Sequence, residues 1–291
     1  MTPASIPDNR FEKSVVAKEL NRSREGVEWL SVPVWADQAW LWHGFSTRRT
    51  GVSRVYLPEG QDSKGDSASG EVNLGFTAAD SRENVLENRR RLVQAVTGSR
   101  ETPLHVLRQI HSKCSVTAAE AIDAQPAEAD GIMTDQPGIL LGIQTADCIP
   151  VLVADPANRA VAGFHAGWRG TVECIVESGV QRMAEEFGSN PAKLIAAIGP
   201  GIGNCCYAVG GEVEGRFDAK FIYAAELFER REDGLYLDLI EANRRQLLAA
   251  GLGADSISTV GGCTSCRPDL FFSHRASGGH AGRMMAVIGI R

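Results

Sequence analysis

The chain has 291 residues, enough for one large domain or two ordinary ones, and its 43% hydrophobic and 23% charged content is ordinary for a soluble globular protein. A net charge of −6 excludes the broadly basic surface that sequence-independent nucleic-acid binding requires, while leaving room for a small anion held by a few local arginines. No run approaches the ~18 uninterrupted apolar residues of a membrane span. The N-terminus lacks the apolar core of a secretory signal, and the seven cysteines are scattered or adjacent rather than framework-spaced, so reduced thiols in a cytoplasm are expected.

Residues 1–26 are polar, with Pro3, Pro7 and several charges, and read as a mobile leader with a short helix around Glu12 to Asn21. Residues 27–291 show no internal boundary and read as a single domain. Trp29 to Trp42 carries four of the five tryptophans and looks like strands with a turn at Ala36-Asp37. His43-Gly44-Phe45-Ser46-Thr47-Arg48 follows as a strand end entering a polar loop. Pro58 to Gly70 is rich in small polar residues and breakers and reads as a mobile loop.

Asp80 as N-cap, Glu83 three residues on, and Val85, Leu92, Val93 and Val96 on one face predict a helix closed by Gly98. Its triple Arg89-Arg90-Arg91 reads as a helix face making local ion pairs. Leu104 to Ile110 predicts a strand with His111 at its end.

The segment Gly138 to Arg169 organises the chain. Two apolar runs, Ile149 to Ala154 and Ala160 to Phe164, flank Asp155-Pro156-Ala157-Asn158, which is turn chemistry. The pattern predicts an antiparallel hairpin. A turn centred between Pro156 and Ala157 sets Cys148 opposite His165, and facing Cβ atoms about 4.5–5.5 Å apart let a thiolate and an imidazole share a metal ion.

Beyond the hairpin, Thr171 to Phe187 predicts a helix ended by Gly188, and Lys193 to Ile198 a buried strand. The strand runs into Gly199-Pro200-Gly201-Ile202-Gly203, a tight structural loop beside the site, since the Walker pattern is missing. Asp238, Glu241 and Gly251 frame another helix. Met284 to Ile290 closes the chain as a strand.

Mixed helices and strands with hairpins give an α+β fold of mixed α/β layers. No dinucleotide fingerprint and no Gly-x-Ser-x-Gly are present. Cys263-x-x-Cys266 is half a zinc knuckle or a redox pair, but no second Cys-x-x-Cys or His pair completes it, so it reads as structural or incidental. Adjacent Cys205-Cys206 rarely suit one metal or one disulfide. His111 is the best third ligand for Cys148 and His165, and two His with one Cys leave a fourth position open, as in catalytic zinc. Arg48, Arg169 and Arg275 sit at predicted strand ends and form an anion site if they converge.

The combination HGFSTRRTGVS, NLGF, NVLENRRRL, LRQIHS, EADGIMT, TADCIPVLVAD, FHAGWRGT, IGPGIG, PDLFFSHR and GRMMAVIGI resembles the YfiH/LACC1 family, also called the polyphenol-oxidase laccase-domain or peptidoglycan-editing-factor family. The resemblance runs in order from about His43 to Arg291. It implies a CNF1/YfiH-like layered sandwich with mixed sheets, and a zinc site falling on His111, Cys148 and His165. It also implies a purine nucleoside phosphorylase acting on adenosine, inosine or methylthioadenosine with phosphate, with adenosine deamination as a second activity. Two departures stand out. Thr50 replaces a glycine of the FSTR-x-Gly-Gly-Val-Ser pattern, and Ala208 replaces the glutamate of Tyr-Glu-Val-Gly.

On this reading phosphate is gripped by Arg48 and Arg169, with Asn73 and Arg275, and attacks the ribose C1′. Asp147, beside the cysteine ligand, supports a ligand, acts as acid/base, or caps a turn. The competing readings are a copper-dependent polyphenol oxidase, disfavoured by six histidines without a His-x-His pair, and a cell-wall precursor editing protein. Purine nucleoside and phosphate are the expected partners, without nucleic acid or membrane. The sequence leaves the oligomeric state open and accommodates a monomer.

Overall fold

The organising hairpin forms, with its turn shifted along the chain. Strands β10 (Ile149–Asp155) and β11 (Ala160–Ala166) pair antiparallel, with Pro150 opposite His165 and Asp155 opposite Ala160. The Asp155 carboxylate sets the turn by accepting the N–H groups of Ala157 and Asn158 at 2.9 and 3.1 Å. His165 therefore faces Pro150, and Cys148 lies just before the first paired residue. The displacement preserves side-chain parity, so Cys148 and His165 become diagonal neighbours instead of facing ones.

The computed structural model describes residues 19–57, 70–118 and 126–291. Most of the expected leader and of the expected loop from Pro58 to Gly70 lie outside them, though Gly70 itself pairs in a short strand, Gly70–Glu71. Within residues 1–26, Leu20–Arg22 forms strand β1, and buried Glu19 accepts the Gly261 N–H at 3.2 Å, so the end of that segment belongs to the fold.

Two six-stranded sheets stack face to face. The first runs β1, β2 (Glu28–Leu30), β3 (Leu41–Ser46), β17 (Met284–Ile290), β9 (Leu140–Thr145), β6 (Leu104–Val106). The second runs β16 (Ile257–Thr259), β12 (Ile195–Ile198), β10, β11, β8 (Gly131–Thr134), β7 (Ser115–Thr117). Both hold mixed parallel and antiparallel pairs. Alternation decides what each face touches. Ala286 and Ile288 of β17 meet Leu152 and Ala154 of β10 in the core between the sheets. Met285 and Val287 point the other way, under Leu92 and Val93 of α1 (Arg82–Thr97). Val151 and Val153 of β10 lie under Val176, Val180 and Met183 of α3 (Ile175–Phe187) and Leu247 of α5 (Leu239–Ala249). Strands buried on both faces need the continuous apolar runs seen in the sequence. The result is a helix–sheet–sheet–helix sandwich.

Local details depart from expectation. Ser81, not Asp80, caps α1 by accepting Asn84 N–H, and Gly98 closes it at φ 85°. The helix expected from Thr171 is broken at Cys174 (φ 60°) into α2 (Trp168–Val172) and α3. Asp238 does cap α5, accepting Glu241 N–H at 2.8 Å. The strand expected to reach Ile110 ends at Val106, so His111 sits in a turn at φ 58°. Thr50 occupies the left-handed region at φ 65°, the conformation a glycine supplies freely, and its hydroxyl donates to Gly26 O.

Candidate functional site

The chain leaves the first sheet at Thr145 and enters the second at Ile149, so Ala146-Asp147-Cys148 crosses the end of the sandwich where β11 also finishes with His165-Ala166. The turn carrying His111 reaches the same end. One ligand atom from each of His111, Cys148 and His165 lies within 4.8 Å of the other two. Cys148 Sγ is 4.0 Å from His111 Nε2, and the two imidazoles meet edge to face with centroids 4.9 Å apart. A Cβ at Gly167 would stand 3.0 Å from Cys148 Sγ and 3.1 Å from His111 Cδ2, so the absent side chain leaves room for the trio.

Asp130 holds this arrangement. Its carboxylate contacts His165 Nδ1 at 2.8 Å and accepts the N–H groups of Ile110, His111 and Ser112 at 3.2, 3.0 and 2.6 Å, with the Ser112 hydroxyl at 2.8 Å. Burial alone would raise its pKa, but the bonds from His165 and Ser112 outweigh burial and hold it at about 2. Engaging Nδ1 directs His165 Nε2 toward the trio. Burial would likewise push the Cys148 thiol up, yet His165 and His111 bring it down to about 6. Burial opposes charge on His165, while Cys148 and Asp130 raise it to about 9. A thiolate with two imidazoles is a soft, nitrogen-rich donor set that fits zinc, and copper as well.

The trio opens onto a cavity of about 910 Å³. Its wall includes Phe76, Arg82, Arg89, Gln144, Tyr207 and Arg275, together with Asp147 and Arg283. Arg82 and Arg89 both lie against the Phe76 ring, at 4.7 and 4.5 Å from its centroid. Arg89 donates to Leu74 O at 2.8 Å, and burial first, then the neighbouring Arg82 charge, lowers its pKa to about 10. Arg82, Arg89, Arg275 and Arg283 have no carboxylate partner among the described residues, whereas Arg108 pairs with Glu128. Burial, with Cys148 adding to it, pushes the Tyr207 hydroxyl up to about 12, so it stays a donor.

The residues nominated from sequence separate here. The metal trio converges, and Arg275 and Asp147 line the cavity. Arg48 does not line it. Its guanidinium is tied to Glu71 at 2.6 Å and Pro268 O at 2.9 Å, and lies 4.6 Å over the Phe272 ring. Arg169 is also absent from the wall; it is exposed and packs over Trp168 at 4.5 Å. Asn73 is fully buried, accepting Gly75 N–H and Arg283 N–H at 3.2 and 2.9 Å, so it joins two wall segments from behind. Asp147 sits at φ 92°, and its carboxylate accepts the Thr264 hydroxyl at 2.6 Å and Arg275 N–H at 2.7 Å.

Asp130, Arg82, Gln144 and Tyr207 were not nominated for the site from sequence, and Arg89 was read only as part of a charged helix face. The triple arginine held one signal: Arg90 and Arg91 pair with Glu87 as expected of a helix face, but Arg89 turns into the cavity.

Comparison with known proteins identifies the family to which the fold and sequence belong. The family described as multi-copper polyphenol oxidoreductase laccase matches residues 42–291. The purine nucleoside phosphorylase YlmD of Geobacillus stearothermophilus is 36% identical over 265 residues, 87% of this chain and 95% of that protein. A protein named adenosine deaminase RL5, from an unknown prokaryotic organism, is 34% identical over 255 residues, covering 84% and 96% of the two chains. The crystal structure of YfiH from Bacillus licheniformis superposes with a TM-score of 0.80 at 30% identity, covering 94% of this chain and 99% of that one. The chain belongs to this laccase-domain family, the family of YfiH, YlmD and LACC1.

Proposed function

We propose that the protein is a zinc-dependent purine nucleoside phosphorylase, with adenosine deamination as a side activity. One observation carries the reading: one cavity joins the His111–Cys148–His165 trio to four arginines without carboxylate partners among the described residues. The volume of about 910 Å³ accommodates a nucleoside beside a phosphate. The names of two relatives, purine nucleoside phosphorylase and adenosine deaminase, support the same substrate class.

In this reading Arg82 and Arg89 gather the phosphate, with Arg275 and Arg283 completing its surroundings, because guanidinium charge not neutralised by a carboxylate attracts phosphate oxygens. A phosphate oxygen attacks the ribose C1′, the bond from C1′ to the purine nitrogen breaks, and its electron pair leaves with the base. Tyr207, held protonated, hydrogen-bonds the departing purine. Asp147 and Asn73 position the wall, since their polar atoms are engaged with protein partners. Positioning and field supply most of the barrier reduction. When bound at the trio, zinc supplies Lewis acidity at the cavity floor. The seven unpaired cysteines suit a reducing compartment, and we place the protein in the cytoplasm. Among the described residues no helix is long and apolar enough to cross a membrane.

The test is product analysis of adenosine, inosine and methylthioadenosine incubated with and without inorganic phosphate under anaerobic conditions. Free base and ribose-1-phosphate should form only with phosphate. Base release at the same rate without phosphate, or no turnover, overturns the phosphorylase. Oxygen-consuming phenol oxidation that tracks bound copper would put the oxidase in its place. Nucleoside turnover indifferent to Cys148→Ala would point to the non-catalytic editing role.

A further inference from the structure

A second group of soft ligands lies on the outer side of the cavity wall. The sequence leaves Cys263-x-x-Cys266 as half a site and gives adjacent Cys205-Cys206 no role; the fold brings the two pairs together. An isolated parallel bridge between Gly201 and Cys263, with Thr264 N–H donating to Gly201 O at 2.9 Å, lays residues 199–207 alongside residues 261–267. The four Sγ atoms lie within 4.8 Å of one another, and Cys266 Sγ is 3.4 Å from both Cys205 Sγ and Cys206 Sγ. We propose that Cys205, Cys206, Cys263 and Cys266 form a second metal centre, a closed four-thiolate site for structural zinc.

The spacing matches the chemistry. Four sulfurs about 2.3 Å from a tetrahedral zinc stand about 3.8 Å apart, within the spread of the separations here. The objection to neighbouring cysteines is met by the turn that carries them. Cys206 N–H and Tyr207 N–H both donate to Gly203 O at 3.0 Å, and the chain curls so that both thiols approach Cys266. Gly203 is shaped to the cluster as well. A Cβ there would lie 3.2 Å from Cys205 Sγ and 3.3 Å from Cys263 Cβ, and its N–H donates to Cys263 Sγ at 3.2 Å. Such an amide bond favours the thiolate form.

Four thiolates around a divalent cation carry a formal double negative charge. Two guanidinium groups stand against the ligand backbone: Arg231 donates to Cys205 O at 3.3 Å and Arg275 to Cys206 O at 3.5 Å. All-sulfur tetrahedral donors select zinc among the common divalent ions, and four protein ligands leave no open position, which marks a structural centre. Its effect reaches the cavity. Tyr207 follows Cys206, and Thr264, between Cys263 and Cys266, holds the Asp147 carboxylate. The centre staples the two loops that carry this wall, and it stands independently of the reaction proposed above.

The test is metal content of the full-length protein purified without chelator, measured by plasma mass spectrometry on wild type, Cys148→Ala and Cys266→Ser. Two zinc equivalents are expected in wild type and one in each variant. Cobalt-substituted Cys148→Ala should show thiolate-to-metal charge transfer and tetrahedral visible bands, which decides the matter even if Cys266→Ser fails to fold. One equivalent in wild type that disappears in Cys148→Ala overturns the second site. A non-reduced mass two daltons low, with two thiols missing on titration, overturns it in favour of a disulfide, and iron in place of zinc overturns the metal assignment.

Discussion

Asp130 Oδ1 lies 2.8 Å from His165 Nδ1 and also accepts the His111 N–H at 3.0 Å, so one carboxylate positions two members of the metal-binding trio. His111 holds a left-handed backbone at φ 58°, a conformation costing about 1–2 kcal/mol for an ordinary residue. The row of N–H groups from Ile110 to Ser112 closing on Asp130 compensates for it. Asp130→Asn removes the charge and turns an amide NH₂ toward these donors. Zinc affinity should fall about 10- to 100-fold, measured by competition with a chromophoric chelator. Wild-type affinity in the variant would show that the trio is set by packing alone.

Arg89 and Arg48 should respond in opposite ways to truncation. Arg89→Ala removes a cavity guanidinium and should raise the KM for phosphate about tenfold or more, with the KM for nucleoside little changed, as expected for a charge-assisted contact of at least about 1.5 kcal/mol. Arg48→Ala should instead leave Glu71 buried without its partner at 2.6 Å and cost about 3 kcal/mol in urea unfolding. Burial pushes the Glu71 carboxyl up and Arg48 draws it back, so its loss strands the acid. A phosphate KM that moves with Arg48 and not with Arg89 would reverse the assignment.

His43 should give the stability curve an acid limb. Val32 N–H donates to its Nε2 at 3.1 Å, which holds the ring neutral, and burial lowers its pKa from 6.5 to about 4. The unfolded chain therefore binds the proton first as pH falls. The contribution is complete above pH 6.5 and is lost on descending toward pH 4, about 3 kcal/mol in all at 1.36 kcal/mol per pH unit. His43→Gln keeps an acceptor for Val32 and does not titrate, so urea midpoints between pH 4 and 7 should depend less on pH than in wild type. An unchanged slope would place the acid sensitivity elsewhere.

Local chemistry made much of the fold readable. The Asp238 cap and the Gly98 and Gly188 stops act within a few residues, and each operates where the chain suggests. The doubly apolar runs of β10 and β11 announced strands covered on both faces. The trio was legible because parity survives a two-position change of register. The turn itself shifted because Asp155 caps Ala157 and Asn158 together, a choice between equivalent turn placements that composition does not resolve.

By itself, then, the sequence determined the layered α+β class and the hairpin that brings Cys148 and His165 together, because periodicity and turn chemistry are local, while His111 was named as third ligand from a strand end that the fold does not form and from the family resemblance. Tertiary structure alone decided which arginines meet the cavity, since a guanidinium at a strand end serves equally as an anion fork or as a buried partner until its neighbours arrive. Arg48 found Glu71, while Arg89, read as one of three surface charges, found Phe76 and Gln144. The four cysteines follow the same rule: 60 residues separate Cys206 from Cys266, and only the bridge between Gly201 and Cys263 makes them neighbours.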